Sequence, residues 1–288
     1  MSAEVDFRAF KADKQPTWCP GCGDFGTMNG MMKALAETGH TPDETFIVAG
    51  IGCSGKIGTY MHSYALHGVH GRALPVGMGV KMANPNLEVL VAGGDGDGYS
   101  IGVGHFVHAV RRNVDLTYVV MDNRIYGLTK GQYSPTSRPD FETATSPDGP
   151  QQPPVNPLAL ALSAGATFIA QSFASDPQRH AEIVAQAIEH EGFGFVNTFS
   201  PCVTFNDVDT YSYFRDSLVD VTDEGHDPTD YDEAKELILD RDQEYQGVLY
   251  QDPDAVPYER VHGLDANMAD LSERPSADEL TDLVRELY

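Results

Sequence analysis

Positive charge is what this sequence has least of. Its 288 residues carry 43 acidic side chains against 19 basic ones, a formal net charge of -24 at pH 7. Only seven lysines are present. Nonspecific nucleic-acid binding needs cationic surface that displaces counterions, so that class is excluded. Long apolar runs are missing too: none approaches the roughly 20 residues that cross a bilayer. The polar N-terminus MSAEVDFRAFKADKQ lacks the apolar segment of a secretory signal, which makes the cytoplasm the expected compartment, with no membrane role. Cysteine is scarce, with four residues in the whole chain. Structural disulfides have little use in such a compartment, so those four need another explanation.

Self-repulsion at this charge works against a compact state unless salt screens it. The surface therefore reads as adapted to a strongly saline cytoplasm, with an acidic partner-docking face as the other explanation. Lys56, Lys81 and Lys130 all lie in glycine-rich or strand-end motifs, so lysine is retained where a local role requires it.

Hydrophobic residues make up 41% of the chain, enough for one substantial core. The stretch Val89 to Thr129 organises the rest. An apolar run, Val89 to Ala92, stops at Gly93-Gly94 as a buried parallel strand does at its sheet edge. Gly94-Asp95-Gly96-Asp97-Gly98 then offers bare backbone N–H groups ahead of a helix expected over 100–112, a cradle for phosphate. Asp95 inside that cradle would repel a diphosphate unless a divalent cation such as Mg²⁺ lay between them. The next run, Leu116 to Met121, ends at Asp122-Asn123 and brings an amide oxygen to the same edge, where open α/β sheets bind ligands.

Trp18-Cys19-Pro20-Gly21-Cys22-Gly23 precedes a helix expected over 24–36. By itself Cys-x-x-Cys suits a redox pair, half a zinc site or half an iron–sulfur site. The two remaining cysteines stand just past predicted strands, Cys53 after 45–49 and Cys202 after 195–199. One pair plus two distant singles favours a [4Fe–4S] cluster over zinc, which more often takes two pairs. Gly50-Ile-Gly-Cys-Ser-Gly55 also matches the dinucleotide fingerprint, but the ribose-binding acid that should follow is missing. His67 reads as a turn residue. His70 and Arg72 precede a small-residue helix over 73–82 and point to the phosphate edge.

Residues 1–16 read as a polar arm and 130–157 as a long loop over the cofactor, with Lys130 either there or simply solvated. Sheet-like segments resume at 166–171 and 194–199, separated by a helix over 176–190. From Asp207 onward lie 24 of the 43 acidic residues against six basic ones. A helix is expected over 231–246, turns over 248–257, and an amphipathic terminal helix opened by a Ser276/Glu279 capping box ahead of Leu280, Leu283, Val284 and Leu287. Two regions result: 1–206 as the cofactor-binding domain, and 207–288 as an acidic extension wrapping it or a partner subunit.

Gly-Asp-Gly followed by Asn resembles the signature of thiamine-diphosphate enzymes. The resemblance implies Asp95, Asn123 and the Ile125 carbonyl on Mg²⁺, with Gly96, Asp97, Gly127 and Leu128 along the diphosphate. With the four cysteines, GIGCSGK, HGRALP, GDGDG and DNRIYGLTKGQYSPTS together, residues 16–205 resemble the β subunit of 2-oxoacid:ferredoxin oxidoreductases. That family implies an α/β thiamine-diphosphate-binding fold of pyrophosphate type, a mostly parallel sheet flanked by helices. It implies Cys19, Cys22, Cys53 and Cys202 on one [4Fe–4S] cluster, Ile51, Gly52, Cys53, Ser54 and His70 at thiamine diphosphate, and Lys56 and Lys130 toward the substrate carboxylate.

The activity implied is coenzyme A-dependent oxidative decarboxylation of a 2-oxoacid, with electrons passed through the cluster to ferredoxin. Two lysines tilt the reading toward 2-oxoglutarate over pyruvate. The glutamate that thiamine enzymes set against the aminopyrimidine comes from a separate pyrimidine domain, so an α subunit would complete an αβ or α2β2 assembly. Two other readings stand beside this one: a non-redox thiamine decarboxylase or carboligase subunit with structural zinc, and a noncatalytic electron-transfer or scaffold protein.

Overall fold

The computed structural model describes residues 5–240, 242–264 and 276–286. Ten strands are formed there: β1 (Thr45–Ala49), β2 (Tyr64–His67), β3 (Glu88–Gly94), β4 (Leu116–Asp122), β5 (Ile125–Tyr126), β6 (Gln132–Tyr133), β7 (Phe168–Phe173), β8 (Phe193–Phe199), β9 (Leu218–Asp220) and β10 (Glu244–Gln251). Eight make one sheet in the order β2-β1-β3-β4-β8-β7-β10-β9, while β5 and β6 form a small hairpin. From β2 through β7 all neighbours are parallel, and β10 pairs antiparallel with β7. All seven residues of β4 are buried, as a parallel strand covered on both faces must be.

The helices are α1 (Asp24–Glu37), α2 (Ile57–Tyr60), α3 (Ala73–Ala83), α4 (Val103–Arg112), α5 (Pro157–Ser163), α6 (Pro177–Glu189), α7 (Tyr211–Ser217), α8 (Tyr231–Leu239), α9 (Tyr258–Val261) and α10 (Ala277–Glu286). Met28, Met31 and Leu35 of α1 join Ile183, Val184 and Ala187 of α6 in the core on one face. Phe106 and Val110 of α4, Leu158 and Leu162 of α5 and Ile238 of α8 fill the other. The expected α/β fold, helices on both faces of a mostly parallel sheet, is what the chain adopts. α6 starts where sequence chemistry asks: Asp176 caps Gln178 N and Arg179 N, with Pro177 in the first turn.

Four expectations are corrected. The helix expected from Ser100 opens as a π turn over Asp97–Ile101, and α-helix begins only at Val103; such turns recur at functional sites. The described part of the arm, from Val5 on, is anchored, since Phe10 is fully buried against α1. α8 stops at Leu239, and the residues expected to continue it or to turn, 244–251, form β10 instead. Tyr245, Val248 and Tyr250 favour a pleated surface, and β7 offers an open edge to pair with. Residues 218–220 and 244–251 thus extend the sheet itself. The side chains of Glu279, Leu280 and Leu283, and all of Leu287, lie outside what the structure describes, so the terminal capping box and apolar stripe do too.

Candidate active site

β1, β3 and β4 are parallel neighbours, so their carboxyl ends open on one edge of the sheet. There Ile51 to Ser54, His70, Gly94 to Asp97, Asn123 and Ile125 to Thr129 line a pocket of about 110 Å³. Asp95 and Asn123 therefore face one space, as do Ile51, Gly52, Cys53, Ser54, His70, Gly96, Asp97, Ile125, Gly127 and Leu128, each singled out by its motif. Complete small-molecule sites usually exceed roughly 300 Å³, so this one suits the diphosphate end of a cofactor whose remainder lies elsewhere.

Local folding fixes these groups. Asn123 Oδ1 accepts from Ile125 N at 3.1 Å, and Arg124 between them takes a left-handed φ of 55°. A side chain on Gly96 would run into the Tyr126 ring, whose hydroxyl donates to Gly96 O at 3.0 Å. Asp97 is already engaged: Ile51 N donates to its Oδ1 at 3.2 Å and Gly71 N at 2.8 Å, and His70 Nδ1 lies 2.8 Å from the same oxygen. Its role in the pocket wall is thus that of a strut joining three loops, and His70 keeps Nε2 for the pocket.

Asp95 is 2% exposed. Burial pushes its carboxyl up, and Asp122 close by adds to the shift. Both acids share one hydroxyl, Thr136 Oγ1, which is 2.8 Å from each. A carboxylate kept dry beside another acid is unfavourable until a cation arrives, and this donor set of carboxylate, amide and backbone carbonyl suits Mg²⁺.

The cysteines gather next to this pocket. Trp18 Nε1 donates to Cys53 O at 2.8 Å, and Gly23 N to Pro201 O at 3.1 Å. Gly23 has no choice of side chain, since a Cβ would lie 2.6 Å from Ser200 and 2.7 Å from Pro201. Those contacts join the segments bearing Cys19, Cys22, Cys53 and Cys202. Burial raises the Cys22 thiol, with Asp24, Cys53 and Cys202 contributing; burial also pushes Cys53 up to about 11, with Asp24, Cys202 and Cys19 contributing. All four cysteines are free, and Cys22 and Cys53 stay thiols unless a metal replaces their protons. Asp24, fully buried, is pushed up to about 6 by burial; Ser200 Oγ donates to its Oδ1 at 2.8 Å, while Oδ2 has no hydrogen-bond partner.

Among the described residues no group of three or more His, Cys, Asp and Glu side chains is disposed to hold a single metal ion. A four-iron cluster asks for something else, one thiolate for each of four separated irons, and the Mg²⁺ donors named above are mostly not of those residue types. The residues present fit both groups on chemistry.

Lys56 and Lys130 are not in the pocket wall. Lys56 Nζ reaches Thr17 Oγ1 at 3.5 Å and its charge acts on Cys53 and Asp24. Lys130 lines a separate cavity of about 660 Å³ with Cys202, Val203 and Phe205. Sequence reasoning missed Asp122, Tyr126, Thr136 and Trp18 as site neighbours. Asp122-Asn123 and SPTS carried the signal, but the first drew notice for the Asn123 amide alone and the second only as part of a long loop. Among the described residues no helix is long and apolar enough to cross a membrane.

Comparison with known proteins bears on this arrangement. Residues 50–198 match the family described as "Thiamine pyrophosphate enzyme, C-terminal TPP binding domain", and residues 202–264 match the C-terminal family of the pyruvate ferredoxin oxidoreductase beta subunit. The chain is 48% identical over 199 residues to a 2-oxoacid:ferredoxin oxidoreductase subunit beta of Saccharolobus solfataricus, spanning 68% of this chain and 65% of that one. It is 39% identical to the subunit beta of 2-oxoacid:ferredoxin oxidoreductase 1 from Aeropyrum pernix, across 87% of this chain and 82% of the relative. In structure it resembles a 2-oxoglutarate:ferredoxin oxidoreductase from Magnetococcus marinus, solved with 2-oxoglutarate, coenzyme A and succinyl-CoA bound, with a TM-score of 0.89, 42% identity, and coverage of 98% of this chain and 96% of the other.

Proposed function

This chain belongs to the β subunits of the 2-oxoacid:ferredoxin oxidoreductases, and on that premise we propose that it holds thiamine diphosphate, Mg²⁺ and one [4Fe–4S] cluster for the oxidative decarboxylation of a 2-oxoacid. Thiamine diphosphate supplies the carbon chemistry that releases CO₂, the cluster carries single electrons to ferredoxin, and coenzyme A takes the acyl group. The chain's own residues do the binding and orienting. Asp95, Asn123 and the Ile125 carbonyl hold the cation; Gly96, Gly127 and Leu128 admit the diphosphate; His70, braced by Asp97, donates to it. Cys19, Cys22, Cys53 and Cys202 hold the cluster.

The observation that carries this reading is the position of Cys53. It stands in the wall of the diphosphate pocket, and its carbonyl is bound by the Trp18 of the Cys-x-x-Cys loop. Cys53 would thus serve both the wall of the diphosphate pocket and the group held by the four cysteines.

Lys56 and Lys130 serve the substrate carboxylate only by reaching beyond the pocket wall, and 2-oxoglutarate remains the favoured substrate. The missing aminopyrimidine glutamate comes from an α subunit, so the assembly is αβ or α2β2 in the cytoplasm. The surface charge suits a saline interior: raising KCl from about 0.1 M to about 2 M shortens the screening length several-fold and raises the melting temperature. The decisive assay is anaerobic turnover of an oxoacid panel with a dye acceptor, with and without the partner subunit. Activity that appears only when the partner is present supports the reading, and full activity of the isolated chain refutes it.

A further inference from the structure

Thr136 lies in the loop after the β5–β6 hairpin, 41 residues from Asp95, and is 5% exposed. Its Oγ1 stands 2.8 Å from Asp95 Oδ2 and 2.8 Å from Asp122 Oδ1, and so links the carboxyl ends of β3 and β4. The residues around it hold it there. Ser134 N donates to Ser137 Oγ at 2.8 Å, closing the loop on itself. Ser137 Oγ in turn donates to Arg124 O at 2.5 Å, the carbonyl between Asn123 and Ile125. One four-residue segment, Ser134 to Ser137, thus touches both halves of the donor set from behind.

Resting on the reading that Asp95 ligates the cation, we propose that Thr136 is the positioning residue of the metal site. Asp95 stands between Gly94 and Gly96, so neither chain neighbour has a side chain to hold its rotamer. The Thr136 hydroxyl supplies that restriction by holding Oδ2 against the end of β4, with Ser134 of the same segment a second hydrogen-bonding neighbour of Asp95, while Ser137 holds the segment that bears Asn123 and Ile125. The two strands are hydrogen-bonded neighbours, yet their terminal side chains are brought into register by a third element. Outer partners of this kind orient metal ligands, and their loss typically costs about 10- to 100-fold in metal affinity.

The test is Mn²⁺ titration followed by EPR, in the presence of thiamine diphosphate, on the full chain co-produced with its partner subunit. Thr136→Val, which keeps shape and loses the hydroxyl, binds Mn²⁺ about 10- to 100-fold more weakly. Thr136→Ser, which keeps the hydroxyl, binds as the unaltered protein does. Equal weakening in both variants overturns the proposal, because the methyl and not the hydroxyl would then matter. Asp95→Ala separates this from the underlying reading. If it leaves Mn²⁺ binding intact, the ligand assignment fails; if it abolishes binding while Thr136→Val binds normally, only the positioning role fails. Should Thr136→Val not fold, Thr136→Ala is titrated in its place, and normal binding there overturns the proposal equally.

Discussion

The two ends of β3 and β4 make opposite use of buried acid. At the amino end, Glu88, Asp115 and Glu259 gather around Lys81, whose Nζ lies 2.8 Å from Asp115 Oδ2 and donates to Leu87 O at 3.0 Å. Both oxygens of Glu259 accept from Asp115 N at 3.2 Å. Here the chain supplies its own cation. At the carboxyl end, Asp95 and Asp122 share the Thr136 hydroxyl; Asp122 also accepts from Arg124 N and Asn197 Nδ2 and feels the Arg124 charge, while no lysine lines the pocket beside Asp95. The same two strands are stabilised at one end and left needing a ligand at the other, as expected where stability is given up for function.

The contrast is sharpest in Asp95→Asn. Removing the charge relieves the buried pair, so the ligand-free protein gains about 1 kcal/mol, read as a higher melting temperature. With Asp95 as the proposed cation ligand, cation-dependent affinity for thiamine diphosphate falls by more than about 100-fold, a larger loss than that of a neighbour of a ligand. Calorimetry of both quantities in one preparation breaks the comparison if stability falls or affinity holds.

Lys81→Met is the converse. Stranding the acids around a lysine that is 7% exposed costs about 3 kcal/mol, while thiamine diphosphate binding is unchanged. A Lys81 variant that melts normally would mean that the amino end does not depend on its internal cation.

A smaller effect comes from Glu88, whose carboxyl burial pushes up to about 8. Asp115 adds to the shift and Lys81 opposes it. The folded state therefore holds a proton that the unfolded state releases near pH 4.5. Stability contributed by this group is lost as pH rises from 4.5 through 8. About a tenth of the side chain still meets water, which limits the loss to about 2 kcal/mol. Urea melts across that range show a falling slope in the unaltered chain and a flatter one in Glu88→Gln.

Strand ends were the readable part of this molecule. β1 could be bounded to the residue, because a continuous apolar run stopped at Gly50, and the glycine-acid turn after β3 fell, as expected, at the pocket edge. Tyr245 to Tyr250 misled for a physical reason: its first residues continue the apolar side of the helix before it and its last lead into the Asp252-Pro253 turn, and only the open edge of β7 decides for a strand. Thr136 was hidden differently. Its partner is 41 residues away, and nothing local distinguishes a hydroxyl that bridges two strands from one that meets solvent. Lys56 and Lys130 were legible as motif residues but not in placement: Lys130 lines a separate cavity and Lys56 reaches Thr17, outside the diphosphate pocket.

The account rests on a shared wall, with Cys53 belonging to both the diphosphate pocket and the cysteine corner. Low-temperature EPR of the anaerobic complex, recorded before and after adding a 2-oxoacid, tests it most directly. The account predicts a reduced [4Fe–4S] signal that appears on adding the oxoacid and is lost in Cys202→Ala. An iron-free, zinc-bearing complex that still consumes the oxoacid would contradict it.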